Sequence, residues 1–488
     1  MTGTGAEHSR RSRPPAALAF LLVAVLIAGC TWALVVPPFQ APDENAHVAY
    51  AQSIAERGEL PGDPAGKFQS TEQSRGADAA NADQTAQQLF VKPEWSVRRH
   101  DAWLKARFTH AQRSDGGGSN PASTNPPLYY LYLVPAYELA SGGDLFAQVS
   151  AMRLASVPFL LITVTAAWLL AGVVFGRRRP LQLAAASVPA LLPMVTFVSA
   201  SVTPDSALYA LWGIALWLGA RLVTRQGGRL DIVAICAVAA LAVLTKATSY
   251  ALLPAVAIAV ITYAVRSGGG ARRVLAACAV AAVTFAVVAG PWYVVARIED
   301  RPASGQLAGS APASDVNFRE FGSYVLQYYL PRLPFLAEYA PLQTHPQAYE
   351  TWFRQSMGAF GWLETRWPLN VYRVLFGIVL AIAVAAIVAL ARRWRRLDPM
   401  LLVFFGAAAL VLVAGLHWSE YRLAQGSGVL ASQGRYLFPL LPIAGLAVAS
   451  ALTAVPARFR PGALGAFIGG LAAMQLFALA LVATRFYV

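Results

Sequence analysis

Apolar runs of about twenty residues, separated by short polar connections, recur along nearly the whole chain. A run of that length, coiled as a helix, crosses about 30 Å of hydrocarbon. The pattern predicts eleven spans, near 16–36, 144–175, 181–201, 205–225, 230–246, 249–265, 273–297, 368–391, 399–417, 435–456 and 462–484. Residues 1–15 form a polar tail, and 16–488 read as one transmembrane domain. Two long stretches lie between spans, 37–143 and 298–367. The expected fold class is therefore an all-α polytopic membrane protein. Within 59–126, rich in Gly, Ser, Asn, Gln and Pro, the parts near 60–90 and 113–124 predict weak order. The chain shows no internal repeat, so a transporter built on inverted repeats gains no support.

Composition sharpens this picture. The chain is 57% apolar and 13% charged, against about 45–50% and about 25% in ordinary globular domains. Lipid, not water, is the solvent this balance suits. The eleven spans and two long stretches leave no room for a separate soluble enzyme domain, so any chemistry must sit where loops meet the membrane. Cys30, Cys236 and Cys278 all lie inside apolar runs and suggest neither a disulfide nor a metal site. Cys30 closes Ile27-Ala28-Gly29-Cys30, a pattern like a lipoprotein cleavage site, but a polytopic chain normally keeps its first apolar segment as an anchor.

Charge then orients the chain. Arginines cluster at every second connection: Arg177 to Arg179, Arg221 to Arg229, Arg266 to Arg273, Arg392 to Arg396, and Arg458 with Arg460. With Arg10, Arg11 and Arg13 they place eighteen basic residues on one side, against Lys246, Arg422 and Arg435 in the short connections opposite. The positive-inside rule makes the amino terminus cytoplasmic and turns both long loops outward, in the cell membrane. That asymmetry accounts for nearly half the basic residues, and the net charge of +14 needs no nucleic-acid partner.

The remaining ionisable residues at span edges gather on the outward face. Pro42-Asp43-Glu44-Asn45-Ala46-His47 follows the first span. Pro42 suits the first turn of a helix that Gly58 can end, and on that helix His47 lies beside Asp43 or Glu44. Acids in a first turn also simply complement the helix dipole, yet charge at a membrane surface is expensive enough to give a functional reading equal weight. Asp205 opens the fourth span after Thr203 and Pro204, where capping is the plain alternative. Lys246 interrupts an apolar run and either snorkels or meets an anion. Arg435, in Gln433-Gly434-Arg435-Tyr436, offers a rigid fork suited to phosphate, or serves as an interfacial anchor beside Tyr436. Between Phe318 and Trp367, thirteen of fifty residues are aromatic, against 11% overall. Such a segment forms an aromatic belt or packs on sugars and lipid chains.

Together these residues suit transfer from a lipid phosphate: a carboxylate takes the proton of an incoming hydroxyl while Lys246 and Arg435 hold the leaving phosphate. Only one carboxylate is needed as base, because a sugar phosphate carries its own leaving group. Asp43, His47 and Asp205 are candidate ligands for a hard divalent cation, Mg²⁺ or Mn²⁺. All of this requires Asp43, Asp205, Lys246 and Arg435 to converge at one pocket.

Four motifs carry a resemblance over roughly Trp32 to Ala454. They are Pro42-Asp43-Glu44-Asn45-Ala46-His47, Asn125-Pro126-Pro127-Leu128-Tyr129-Tyr130, Gly358-Ala359-Phe360-Gly361-Trp362-Leu363 and Gln433-Gly434-Arg435-Tyr436. Their order resembles a family of bacterial membrane proteins classed as a domain of unknown function and similar to the GT-C glycosyltransferases. The resemblance implies a GT-C-like fold with short membrane-parallel helices in the outer loops. It also implies inverting transfer of a sugar from a polyprenyl phosphate or diphosphate to a glycan, lipid or protein acceptor outside the cytoplasm. By the same likeness Asp43 is the base, Glu44 its neighbour or substitute, and Asp205 a second acid near donor or metal. Lys246 and Arg435 face the donor phosphate, and Tyr129, Tyr130, Trp362, Gln433 and Tyr436 belong to substrate loops. The chain lacks the large outer carboxy-terminal domain of some relatives, which leaves the acceptor open. Two other readings stand beside the transferase: a carrier that flips or presents a lipid-linked sugar, and a ligase or polymerase of diphosphate-linked glycans in which Arg435 outweighs Asp43.

Overall fold

The computed structural model describes residues 15–82, 96–105, 110–268, 270–303, 317–330, 333–334, 348–427 and 430–487. Among these, nine helices are long and apolar enough to cross a membrane, or ten if a bent pair counts as one span. Helix α1 (Ala16–Val35) enters the bundle. The first long loop contributes α2 (Glu44–Arg57), α3 (Thr71–Ala79) and α4 (Leu128–Leu139). Then come α5 (Leu145–Phe175), α6 (Arg179–Leu191), α7 (Pro193–Ser199), α8 (Asp205–Val223), α9 (Arg229–Val243), α10 (Leu253–Arg266) and α11 (Gly270–Ile298). After the second loop, with α12 (Phe318–Tyr329), the chain forms α13 (Leu369–Arg393), α14 (Pro399–Ser427), α15 (Leu441–Ala454) and α16 (Arg460–Tyr487).

Helices α6 and α7 make the bent pair, turning 58° at the break. Pro193 explains the break, since it lacks the amide that would continue the helix and drives Leu192 into extended backbone (φ −72°, ψ 116°). The predicted span 230–246 forms a helix of only 15 residues, about 22 Å long and shorter than the hydrocarbon core. It still covers the whole length of α8. Asp231 pairs with Arg221 near one end, and Lys246, just past the other, pairs with Asp205. One small departure from all-α structure lies in the Gly358–Leu363 motif, where β1 (Ala359–Phe360) pairs antiparallel with β2 (Thr365–Arg366).

A large apolar core runs through the bundle, with Trp32, Trp168 and Trp212 essentially without solvent contact. The first loop has a core of its own, in which Phe39, Tyr50, Tyr129, Tyr130, Tyr137 and Met152 meet. The weak order expected near 60–90 and 113–124 is not found where those parts are described. Ser70 caps α3 by accepting from the Gln73 amide, Asp63 bridges Gly118, and the Gly118 amide donates to the Lys67 carbonyl at 2.7 Å. The glycines there serve close backbone contact: a Cβ on Gly116 would stand 2.7 Å from the Ser70 nitrogen. Residues 83–95, and the parts 304–316, 331–332 and 335–347 of the aromatic loop, lie outside the described residues, as do Arg10, Arg11 and Arg13.

Candidate active site

Four segments meet at the bundle end opposite the arginine clusters. Asp43 precedes α2 in left-handed backbone (φ 62°), a conformation that Asp and Asn tolerate better than most residues. Gly58 ends that helix, also left-handed (φ 69°), as the sequence predicts. Asp205 is the first residue of α8. Lys246 stands in extended backbone between α9 and a 3₁₀ turn, Ala247–Leu252. Arg435 belongs to a second such turn, Gly434–Leu440, that leads into α15. The Gly434 amide donates to Gln355 Oε1 at 3.0 Å, and its carbonyl accepts from Ser356 Oγ at 3.1 Å. A Cβ on Gly434 would fall 2.7 Å from the Ser356 nitrogen, so glycine is required there. Tyr209 donates to the Arg435 carbonyl from the other side at 3.1 Å.

These side chains form an alternating row of charges. An Asp43 oxygen lies 2.5 Å from Arg435 Nη2, Arg435 Nε lies 3.5 Å from Asp205 Oδ2, and Lys246 Nζ donates to Asp205 Oδ1 at 2.5 Å. Tyr436 lies under both cations, with Lys246 Nζ 5.1 Å and the Arg435 guanidinium 5.6 Å from its ring centre. Asp43 is the open end of the row, with 40% of its side chain exposed. Asp205 and Arg435 retain 2% and 3%. At the middle of the row Asp205 Oδ2 and Arg435 Nε face each other without a hydrogen bond, and Gln433 Oε1 nearby is buried with no partner. The row thus keeps unused polar capacity in a buried setting. The Asp205 carboxylate faces Lys246 and Arg435 and does not cap α8; of the two capping candidates only Thr203 takes that part, its Oγ1 accepting from the Asp205 amide at 3.4 Å.

Electrostatics sets the state of Asp43 and His47, two titratable groups of the site that lie outside the spans. Burial pushes the Asp43 carboxyl up, but Arg435, His47 and Lys246 outweigh it and hold Asp43 below the usual carboxylate range. Asp43 is therefore ionised at neutral pH. Burial acts the other way on His47, lowering it to about 4 against the pull of Asp43, so that its ring is neutral. His47 Nδ1 pairs with Tyr130 Oη at 2.8 Å, and Asn125 Nδ2 donates to the same hydroxyl at 3.1 Å.

Several sequence expectations change in this light. Glu44 is completely buried and spoken for: Oε1 accepts from Arg153 Nε (2.7 Å) and the Val202 amide (3.0 Å), Oε2 from Arg153 Nη2 (2.5 Å) and the Phe39 amide (3.0 Å). A carboxylate with both oxygens doubly engaged holds the loop and has no free oxygen to take a proton. Tyr129 and Tyr130 are buried rather than exposed to a substrate, and Tyr129 Oη accepts from the Thr203 amide at 2.9 Å. Trp362 Nε1 donates to the Phe39 carbonyl at 3.1 Å, which ties the β1–β2 hairpin to the Asp43 loop. The divalent-cation set of Asp43, His47 and Asp205 does not fit either. Arg435 and Lys246 already hold both carboxylates, and among the described residues no group of three His, Cys, Asp or Glu is placed to bind a metal.

Arg153 is the residue that sequence reading passes over. It lies in α5 with a side chain 2% exposed, and besides Glu44 it donates to the carbonyls of Ala33 (3.2 Å), Val36 (2.5 Å) and Pro37 (3.0 Å). It so closes the end of α1 and fixes the start of the Asp43 loop. A single arginine inside a long apolar run was the available signal. Gln355, Ser356 and Glu420 also escape notice; Glu420 accepts from the Ser432 amide at 2.9 Å, just ahead of Arg435.

Sequence comparison finds no match among curated proteins. Solved structures do match in fold. ArnT from Cupriavidus metallidurans in the apo state superimposes with a TM-score of 0.50 at 17% identity, covering 96% of this chain and 66% of ArnT. The archaeal oligosaccharyltransferase AglB from Archaeoglobus fulgidus, in complex with an inhibitory peptide and a dolichol-phosphate, gives 0.50 at 13% identity, covering 96% of this chain and 56% of AglB. The chain thus spans less than two thirds of either protein. The fold is that of the GT-C glycosyltransferases, a polytopic membrane architecture. A family model described as a predicted membrane protein (DUF2142) matches residues 26–444, and the chain belongs to that family.

Proposed function

We propose that this protein is an inverting GT-C glycosyltransferase. It moves a sugar from a polyprenyl phosphate or diphosphate to an acceptor hydroxyl on the outer side of the cell membrane, with Asp43 as general base. The observation that carries this reading is the charge row Asp43–Arg435–Asp205–Lys246, with one ionised acid at its open end and two cations behind it. The arginine-poor side on which the row lies supports an outward site. The AglB complex contains a dolichol-phosphate, which agrees with a lipid phosphate as donor.

In the resting site Arg435 is bound to Asp43, which keeps that carboxylate a weak base. A donor phosphate seated against Arg435 and Lys246 competes for those cations and leaves Asp43 freer to take a proton. The acceptor oxygen then attacks the anomeric carbon as its proton passes to Asp43, and the carbon–oxygen bond to phosphate breaks. The electron pair departs on the phosphate, whose growing charge the two cations stabilise in dry surroundings. No step needs a divalent cation, because Lys246 and Arg435 supply the positive charge.

The test is Asp43→Asn in proteoliposomes supplied with labelled polyprenyl-phosphate-linked sugars and acceptor. Asparagine accepts the left-handed backbone at position 43, so the fold is kept. Transfer falls by about 10²-fold or more, the usual range for loss of a general base, while donor binding persists. Undiminished transfer removes Asp43 from the mechanism, and movement of donor across the bilayer with no new glycosidic bond identifies a carrier.

A further inference from the structure

The opposite end of the bundle holds a second concave site, unrelated to the charge row. A cavity of about 590 Å³ opens between α9, α10 and α11, and Arg229, Arg272 and Arg273 line it. An apolar crevice of about 390 Å³ lies between the same three helices, lined among others by Cys236, Val260, Cys278, Ala281 and Phe285. The two cavities lie end to end along one face of α9, where Arg229 and Ile232 line the first and Cys236 and Ala239 the second, while α11 turns different faces to them, Ala277 and Val280 to the first and Cys278 and Ala281 to the second.

We propose that this groove binds one anionic bilayer phospholipid, its phosphate on Arg229, Arg272 and Arg273 and one acyl chain in the crevice. Three observations agree. The arginine side chains are exposed, Arg273 donating to the Ser267 carbonyl, and beyond Tyr263 and Ser267 the adjoining crevice is apolar, a pairing of charge and hydrocarbon that matches a lipid and not a free anion. Helices α9 and α11 begin at this mouth, near Arg229 and Gly270, and their first amides add positive potential to that of the guanidinium groups. The acid that shares the mouth, Asp231, is already taken, since it pairs with Arg221 at 3.1 Å and accepts from the Gly228 amide at 2.6 Å. Length selects the occupant. From Arg272 to Phe285 the helix advances about 20 Å, little more than one leaflet of a 30 Å core, which suits a single acyl chain better than a long polyprenyl chain. Of the three helices that line the groove, α9 leads into Lys246 of the outer site at its far end.

The test uses the full-length protein in nanodiscs of phosphatidylcholine with a minority of phosphatidylglycerol, followed by detergent release and native mass spectrometry. Wild type retains one phosphatidylglycerol. The Arg229→Gln/Arg272→Gln/Arg273→Gln variant loses it, with occupancy reduced at least tenfold. Ala281→Phe, which fills the crevice and keeps all three arginines, loses it too, and this second variant controls for misfolding of the first. Equal retention of phosphatidylcholine by wild type, retention of phosphatidylglycerol by both variants, or a polyprenyl phosphate in its place would overturn the proposal. The outer charge row is intact in every variant, so a failure here is separable from a failure of the transferase reading.

Discussion

Two carboxylates adjacent in sequence, Asp43 and Glu44, have opposite environments, and the difference sets their parts. Asp43 is the open end of a charge row, while Glu44 is sealed against Arg153. Glu44→Gln leaves the Arg153 charge buried without its partner, a loss of about 3–5 kcal/mol for such pairs. The expected outcome is a lower melting temperature and poor yield, with stability partly restored when Arg153→Met is added; a single Glu44→Gln variant as stable as wild type would dismiss the clamp. His47 supplies a pH signature. Its folded value of about 4 lies below the ordinary 6.5, so the unfolded chain binds the proton first. Its contribution to stability is full above pH 6.5 and is lost as the pH falls from 6.5 toward 4. Melting temperature should drop across that window, and the drop should shrink in His47→Gln. Asp43, Asp205, Lys246 and Arg435 were legible in the sequence because charge at the edge of an apolar run is rare enough to stand out. The roles of Glu44 and Tyr130 were not, since burial and partner choice depend on Arg153 and His47, distant from them in the chain.

The elements that carry the site are short and irregular. Asp43 precedes a loop helix, Lys246 stands in extended backbone just before a 3₁₀ turn, and Arg435 stands on a second such turn, both turns leading into helices with proline in their first turn. The turn that bears Arg435 is fixed through Gly434, whose amide and carbonyl both bond to the Gln355–Ser356 segment. Gly434→Ala forces that contact apart and displaces the guanidinium. Transfer should fall more than tenfold with little change in folding, as measured by turnover alongside thermal melting, and an alanine variant of normal activity would show that the turn has slack. Hydropathy located ten of the eleven expected spans as long helices or a bent pair, and gave the short α9 a few residues too many. It could not show the 58° bend, although Pro193 marks its place, nor the β1–β2 hairpin that ties Trp362 to Phe39. Such features arise from contacts between segments and leave no periodicity in either one.

Across the whole molecule, the two ends of the bundle differ in their charge pattern. One end carries the arginine clusters and a groove shaped for a phospholipid; the other carries the charge row, roofed by a loop with its own aromatic core. The central claim is that this site exists to hold a lipid phosphate. Mass spectrometry of lipids copurified with wild type and with Arg435→Met tests it most directly. Wild type should carry a polyprenyl-phosphate-linked species that Arg435→Met loses although it remains folded. Wild type free of any polyprenyl phosphate, or equal retention by both proteins, would contradict it.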